Sequence, residues 1–436
     1  MKSVANIVEI YKIFFERVLS HSMICVFLLL TSFAAQAKTL SFKELLKMAE
    51  QKDLAVQIAK ENLLMAQQVQ AQSGSSFWPQ LSLQASGSDS SVQEVHSQSY
   101  STGLSLTQNL WNGGQDVSRW KISQKNEEIA RWNLKADLLR LSADFKSAVE
   151  NFRVATQMVQ LTKLIVKRRQ EHQKIVELRF QSGLENKGSV LLSQANVSSA
   201  QWQWEQAVVE MKNAEKSLKA LIGWQDQGLE HDEPLQLEEF STLQPIKFTT
   251  LKVESIFDQV PQLKISELQK QISQIDKESV YGRFLPKVDL SLSTGFSDTQ
   301  FFPQTSRSSI GLSLSVPLFD GMKDVYELKV KTHQERIQKL TWEMTSQKVR
   351  DQIEAAYDDW KQSCRKEDVD LEFRSAAEVR AEIARKKYNN GLMSFEEWDQ
   401  VESDLIARQT GFLQSQKNRI AKEVIWDQTS GQGVFL

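Results

Sequence analysis

Two tracts of this chain, residues 115–181 and 325–390, contain neither proline nor glycine, and they narrow most what it can fold into. Each is about 66 residues long, so an unbroken helix there would reach roughly 100 Å at ~1.5 Å per residue. Periodic patterns running well past ~25 residues mark coiled coils or other extended helical assemblies. Charges are interleaved through both tracts, as in Lys167-Arg168-Arg169-Gln170-Glu171 and Glu378-Val379-Arg380-Ala381-Glu382. That is the pattern of a solvated helix face laced with i,i+3 and i,i+4 pairs.

The tracts belong to two copies of one unit. Trp78-Pro79-Gln80-Leu81, Leu110-Trp111-Asn112-Gly113 and Phe180-Gln181-Ser182-Gly183-Leu184 mark the first copy. Leu285-Pro286-Lys287-Val288, Leu318-Phe319-Asp320-Gly321 and Tyr388-Asn389-Asn390-Gly391-Leu392 mark the second. From Pro79 to Pro286 is 207 residues, and from Gly113 to Gly321 and from Gly183 to Gly391 is 208. Landmarks that keep register over such a period indicate an internally duplicated domain, not a short-repeat solenoid.

Between the landmarks lie four stretches that alternate with period two. Leu81, Leu83 and Ala85, then Leu104 and Leu106, then Val288, Leu290 and Leu292, then Ile310, Leu312, Leu314, Val316 and Leu318 each alternate with small or polar residues. A half-buried sheet in water would alternate in the same way. The flanks favour lipid: Phe77, Trp78 and Trp111 bracket the first pair, and Tyr281, Phe284 and Phe319 the second. Aromatic residues at the ends of alternating strands of about 10 residues are the interface girdles of transmembrane β-barrels. The membrane-interface residues expected from this pattern are Trp78, Trp111, Phe284 and Phe319. Polar stretches at 88–101 and 297–308 read as exposed loops. Four strands cannot close a barrel, since bacterial outer-membrane barrels begin at about eight and an unpaired edge in lipid is prohibitive. The chain must therefore share a barrel with other copies or stay out of the membrane.

The N-terminus supplies export. Lys2, Lys12 and Arg17 precede an apolar run at 23–33 and Ala35-Gln36-Ala37, the layout of a secretory signal peptide cleaved after Ala37. The run is too short for a membrane helix, which needs roughly 20 residues. Only Cys364 remains beyond that site, which rules out an intramolecular disulfide and makes Cys364 a structural residue. The formal net charge of −2 gives no electrostatic footprint for nucleic acid.

The expected organisation is a signal peptide at 1–37, a first repeat at 38–223, an irregular linker at 224–255, a second repeat at 256–430 and a tail at 431–436. Residues 40–73 read as one amphipathic helix, helices restart at Ser189 and Phe395 after the Gly-Leu turns, and residues 430–433 read as frayed.

In these landmarks the chain resembles the TolC-like outer-membrane efflux protein family. Phe77-Trp78-Pro79-Gln80-Leu81, Gln108-Asn109-Leu110-Trp111-Asn112-Gly113-Gly114 and Arg179-Phe180-Gln181-Ser182-Gly183-Leu184, with Phe284-Leu285-Pro286-Lys287-Val288, Pro317-Leu318-Phe319-Asp320-Gly321 and Lys387-Tyr388-Asn389-Asn390-Gly391-Leu392 in the second half and Leu218-Lys219-Ala220-Leu221-Ile222-Gly223 closing the first repeat, carry the likeness in the correct order. The resemblance implies a mainly α protein with a transmembrane β-barrel portion. It implies a homotrimer whose twelve strands form the barrel and whose long helices form a periplasmic α-helical barrel. It also implies the outer membrane of a Gram-negative bacterium, contact with outer-membrane lipid, a periplasmic membrane-fusion (adaptor) protein, and an inner-membrane pump of RND, ABC or MFS type. The function so implied is a passive exit duct for tripartite efflux or type I secretion. The turns at Gly183-Leu184 and Gly391-Leu392 would be the periplasmic tips on which an adaptor docks. Glu397 would be the carboxylate that narrows the pore. Three residues on, where a second carboxylate would stand, this chain has Gln400, and the first tip has Ser189 at the place equivalent to Glu397. The other reading of Glu397, with Glu396, Asp399, Glu402 and Asp404, is a solvated helix N-terminus favoured by the helix dipole.

Nothing in the sequence signals catalysis or a cofactor. His96, His172, His231 and His333 are dispersed, and one cysteine excludes a cysteine-rich metal site. Gly183-Leu184-Glu185-Asn186-Lys187-Gly188-Ser189 lacks the lysine that follows the second glycine of a phosphate loop, and it follows a helical tract, not a strand. The rival to a channel is a periplasmic coiled-coil scaffold or adaptor with a soluble sheet, which would have no need of aromatic girdles.

Overall fold

The structure, a computed structural model, describes residues 42–92, 95–223 and 256–433. The expected signal peptide, the linker at 224–255 and the end of the tail lie outside the described residues. The chain divides into two compact units, 1–45 with 230–246 and 46–229 with 247–436. Of the first, only residues 42–45 are described, as the opening of a helix.

Helix α1 (Phe42–Lys52) and helix α2 (Leu54–Ser73) replace the single helix expected over 40–73. Asp53 interrupts it with an extended backbone, and its Oδ1 accepts from the Val56 N–H at 2.8 Å. An aspartate can end one helix and cap the next because its side chain competes for backbone N–H groups. Arg140 Nη2 holds the same carboxylate at 3.0 Å.

Strands β1 (Gln80–Val92) and β2 (Val95–Asn112) follow, then α3 (Gln115–Gln181) and α4 (Lys187–Leu221). The order repeats as α5 (Pro261–Tyr281), β3 (Lys287–Asp298), β4 (Ser306–Ser315), α6 (Lys323–Asn389) and α7 (Phe395–Ser430). Both long helices have 67 residues, which is the length that their freedom from proline and glycine allows.

Nearer the sheet, α2 packs on α3, α3 on α5 and α5 on α6; farther along, α4 packs on α3, α3 on α7 and α7 on α6. Each half is thus an arc of four helices with α6 at one end and α2 or α4 at the other. Where α5, α6 and α7 meet, Ile256, Val260, Val349, Ile353 and Trp426 form a buried cluster. Cys364 is half-buried on α6, and burial pushes its thiol up to about 11.

The strands form one antiparallel sheet in the order β1-β2-β3-β4. Leu81 faces Leu106, Leu106 faces Leu292 and Leu292 faces Ile310, an aliphatic row across all four strands. The next row, Ser82, Ser105, Ser293 and Ser309, lies on the other face, where the Ser293 and Ser309 hydroxyls are 2.8 Å apart.

Two expected boundaries move. The loop at 88–101 is in fact hairpin, paired from Ser88 with Ser99 to Val92 with Val95. Its strands carry polar residues on both faces, so no period-two signal marks them. β4 stops at Ser315, short of Val316 and Leu318, because Pro317 has no N–H to give a ladder. The end of α7 is also better fixed than its glycines suggest: Ser430 is buried, Gly431 takes φ 75°, and the Gln432 N–H bonds Asp427 O at 2.8 Å.

Candidate functional site

Two regions carry the residues singled out in the sequence, the exposed face and ends of the sheet and the far tip of the helices. Leu83, Ile310, Leu312 and Leu314 are each about 70 % exposed on the aliphatic face. A sheet in water would cover such a face, since large exposed apolar patches mark interaction with protein or membrane. Trp78, Trp111, Phe284 and Phe319 are all exposed, and all four stand at the helix-proximal end of the sheet. The sequence reading placed aromatics at both ends of each strand pair, but in an antiparallel hairpin the first and last residues come to the same end. At the far end stands the opposite belt of Phe296, Phe301 and Phe302, all exposed, and the half-buried Tyr100, with the Tyr100 and Phe301 rings edge to face at 5.3 Å. Phe301-Phe302-Pro303 inside a polar loop was the available signal for it. Val288 and Phe296, on one face of β3, are about 27 Å apart along the strand at ~3.4 Å per residue, or about 20 Å along the barrel axis after a tilt of ~35–45°, which fits inside an apolar band of about 25 Å.

At the tip, both helix hairpins turn through the same geometry. Gly183 and Gly391 adopt φ 73° and 72°. The N–H of Leu184 bonds Arg179 O, and that of Leu392 bonds Lys387 O, each at 2.9 Å. These are six-to-one bonds of the Schellman motif, which glycine makes possible by its left-handed backbone. Leu184 and Leu392 are left 66 % and 75 % exposed. The new helices start from side-chain caps: Asn186 Oδ1 accepts from the Ser189 N–H at 2.9 Å, so α4 begins two residues ahead of the expected Ser189. Glu397 lies in a capping box, its Oε2 accepting from the Ser394 N–H at 3.1 Å while its own N–H bonds Ser394 Oγ at 3.2 Å. The capping box is a helix-start device, and it occupies one oxygen of the carboxylate.

Behind the turns the two hairpins are joined by a ring stack that the sequence did not disclose. His172 of α3 lies 4.1 Å from the Trp398 ring of α7, and Trp398 stacks at 4.3 Å on Tyr388 of α6. The Arg179 guanidinium lies over the Tyr388 ring at 4.7 Å and donates to the Tyr388 backbone oxygen at 2.9 Å. Tyr388 donates its hydroxyl to Glu185 Oε2 at 3.0 Å. Arg169 bonds Asp399 at 2.6 Å and Ser403 Oγ at 3.0 Å, and Asn196 of α4 reaches the same Asp399 oxygen at 2.9 Å. His172 and Glu402 are buried with 3.5 Å between them. Burial and the nearby guanidiniums of Arg385, Arg169 and Arg168 push the imidazole down to about 3, so the contact is one between a neutral ring and a carboxylate. Acidic residues that read as a solvated cluster therefore divide: Glu397 caps a helix, whereas Asp399 and Glu402 face arginines across the interface.

The protomer sets an open sheet with an exposed aliphatic face on an arc of long helices, and no described helix is long and apolar enough to cross a membrane. The sequence matches the family described as outer membrane efflux protein over residues 45–224 and 257–425, and the chain belongs to that family. It is an outer-membrane efflux channel, of the kind that serves tripartite pumps with an adaptor and an inner-membrane pump, and not itself the adaptor. Its relatives in family and fold are channels, not enzymes. Among solved structures, the chain is similar to CusC, with a TM-score of 0.80 at 16% identity, covering 92% of this chain and 96% of that one. It is similar to the outer membrane protein VceC of Vibrio cholerae, with a TM-score of 0.76 at 18% identity over 90% and 96% of the two chains. The open-state MtrE outer membrane channel of Neisseria gonorrhoeae gives 0.77 at 18% identity over 89% and 88%. At such identities the likeness carries the fold alone. The search of curated proteins gives no significant sequence match.

Proposed function

We propose that three copies of this chain close a twelve-stranded barrel in the outer membrane and continue it inward as a helical tube, a passive duct for cargo loaded by an inner-membrane pump. The observation that carries this reading is a pair of unpartnered edges running the length of the protomer. Among the described residues β1 bonds only β2, and β4 only β3. The helix arcs end in exposed apolar stripes: Ile58 and Met65 on α2, Trp202 and Val209 on α4, and Ile337 and Met344 on α6. Edges of this kind fit a head-to-tail ring that closes on itself. Two copies would give eight strands, whose interior side chains fill; three leave a lumen.

The tips at Gly183-Leu184 and Gly391-Leu392 present Leu184 and Leu392 to a periplasmic adaptor, and Glu397 contributes one carboxylate per copy to a constriction. The pump, of RND, ABC or MFS type, supplies the free energy and most of the selection; opening is conformational. The test is conductance of the purified protein in planar bilayers together with its mass in detergent. Discrete channels from a stable trimer are expected. A soluble species without channels would overturn the reading.

A further inference from the structure

The face of the sheet opposite the aliphatic rows is almost uncharged. By the strand register it carries Gln80, Ser82, Gln84 and Ser86 from β1, and Ser101, Gly103, Ser105, Thr107 and Asn109 from β2. From β3 and β4 come Lys287, Asp289, Ser291, Ser293, Gly295 and Ser297, and Arg307, Ser309, Gly311, Ser313 and Ser315. Lys287 and Asp289 stand two residues apart on one strand, and their charges offset each other. Arg307 has no such neighbour. It is six residues along β4 from Ser313, the partner of Asp289, or about 20 Å at ~3.4 Å per residue. That exceeds the screening length of ~8 Å at physiological ionic strength. Arg307 is exposed and forms no ion pair with a described residue.

Its row across the sheet is Gln84, Gly103, Gly295 and Arg307. The two glycines are required by the backbone: a Cβ on Gly295 would lie 2.3 Å from Thr102 O, and one on Gly103 would lie 2.9 Å from Thr294 O. No side chain from β2 or β3 in that row can therefore stand over the polar face beside the guanidinium. The row lies next to the Phe296 and Thr102 row, at the end of the sheet away from the helices.

We propose that Arg307 is a charge filter in the outer part of the duct. The proposal rests on the trimeric barrel argued above: the aliphatic face meets lipid, the polar face lines the lumen, and three guanidiniums form a ring there. Arginine stays charged at any physiological pH, and rings of basic side chains favour anions in a pore. An anionic cargo would leave this channel against a lower electrostatic barrier than a cationic one, whatever a carboxylate at the periplasmic end does.

The test is the reversal potential of single channels under a potassium chloride gradient, for the wild type, Arg307→Lys, Arg307→Gln and Arg307→Glu. Trimer mass is measured for each. Arg307→Lys should keep the wild-type chloride-to-potassium permeability ratio, Arg307→Gln should lower it roughly threefold, and Arg307→Glu should carry it further toward cations. Unchanged ratios in Gln and Glu variants that form normal channels would overturn the filter and leave the barrel standing. Absence of channels from the wild type would overturn the barrel and the filter with it.

Discussion

The carbonyl oxygen of Gly282 lies 2.0 Å from where a Cβ on Gly113 would stand, and the carbonyl oxygen of Gly113 lies 2.4 Å from where a Cβ on Gly282 would stand. The turn that leaves β2 and the turn that leads into β3 thus cross backbone against backbone. Gly113 also takes φ 71°, so two constraints meet at one position. Gly183 and Gly391 have similar φ values, yet a Cβ there would meet nothing within 4 Å.

Alanine at these positions should separate the two effects. Gly183→Ala or Gly391→Ala incurs only the cost of a left-handed backbone, about 1 to 2 kcal/mol. Gly113→Ala and Gly282→Ala must move a backbone segment, and overpacking of that kind costs about 1 to 3 kcal/mol or more. Thermal unfolding should rank the tip variants above the junction variants. Equal losses at all four positions would show that the crossing has room to relax.

Much of the architecture was legible because it depends on local rules. Absence of proline and glycine marks the long helices, and Gly-Leu marks their turns. Alternation marks those parts of the strands that have a lipid face. It fails over 88–101, where both faces are polar and pairing alone makes the strand. Which aromatics share an end of the sheet depends on antiparallel return, so the place of the outer belt was hidden even though Phe301-Phe302-Pro303 stands out in its polar loop. The stack of His172, Trp398 and Tyr388 joins residues from three helices, and spacing along the chain carries no trace of it.

The outer belt can be tested directly. Phe301→Ser with Phe302→Ser removes two exposed rings from the loop without touching a ladder bond. Interfacial aromatics anchor a barrel at headgroup depth. The doubly substituted protein should insert into lipid vesicles less completely than the wild type while keeping its helical circular dichroism. Undiminished insertion would show that the loop stands clear of the membrane.

Asp399 accepts from both Arg169 and Asn196, tying α7 to α3 and α4. Arg169 is largely buried, so Asp399→Ala would leave a guanidinium without its counter-ion, a change that costs about 3 to 5 kcal/mol in a buried pair. Asp399→Asn keeps an acceptor and should lose less. Proteolysis at the tip, compared with global unfolding, would reveal whether the loss is local. An alanine variant as stable as the wild type would mean that water reaches Arg169.

His172 gives the tip a pH dependence with a definite sign. The folded ring titrates at about 3, whereas an unfolded histidine titrates near 6.5. Between those values the unfolded chain binds a proton that the folded chain does not, so stability falls as the pH falls. The slope is about 1.4 kcal/mol per pH unit within that window and vanishes above it. His172→Gln should flatten the decline between pH 6 and 4 in a denaturant series. An unchanged slope would mean that the ring takes up a proton without unfolding.

Glu397 has two roles to separate, a helix cap and a pore charge. A capping box accepts glutamine as well as glutamate, so Glu397→Gln removes the charge and leaves the bonds to Ser394 in reach, whereas Glu397→Ala removes both. If the carboxylate lines the constriction, both variants should alter single-channel conductance and reduce cation preference, and only alanine should lower stability, by about 1 kcal/mol. If the residue serves the helix alone, glutamine should match the wild type in conductance and stability alike. Comparing conductance with melting temperature for the same two proteins thus decides which role the charge has: a glutamine variant with altered permeation and unaltered melting puts Glu397 in the pore.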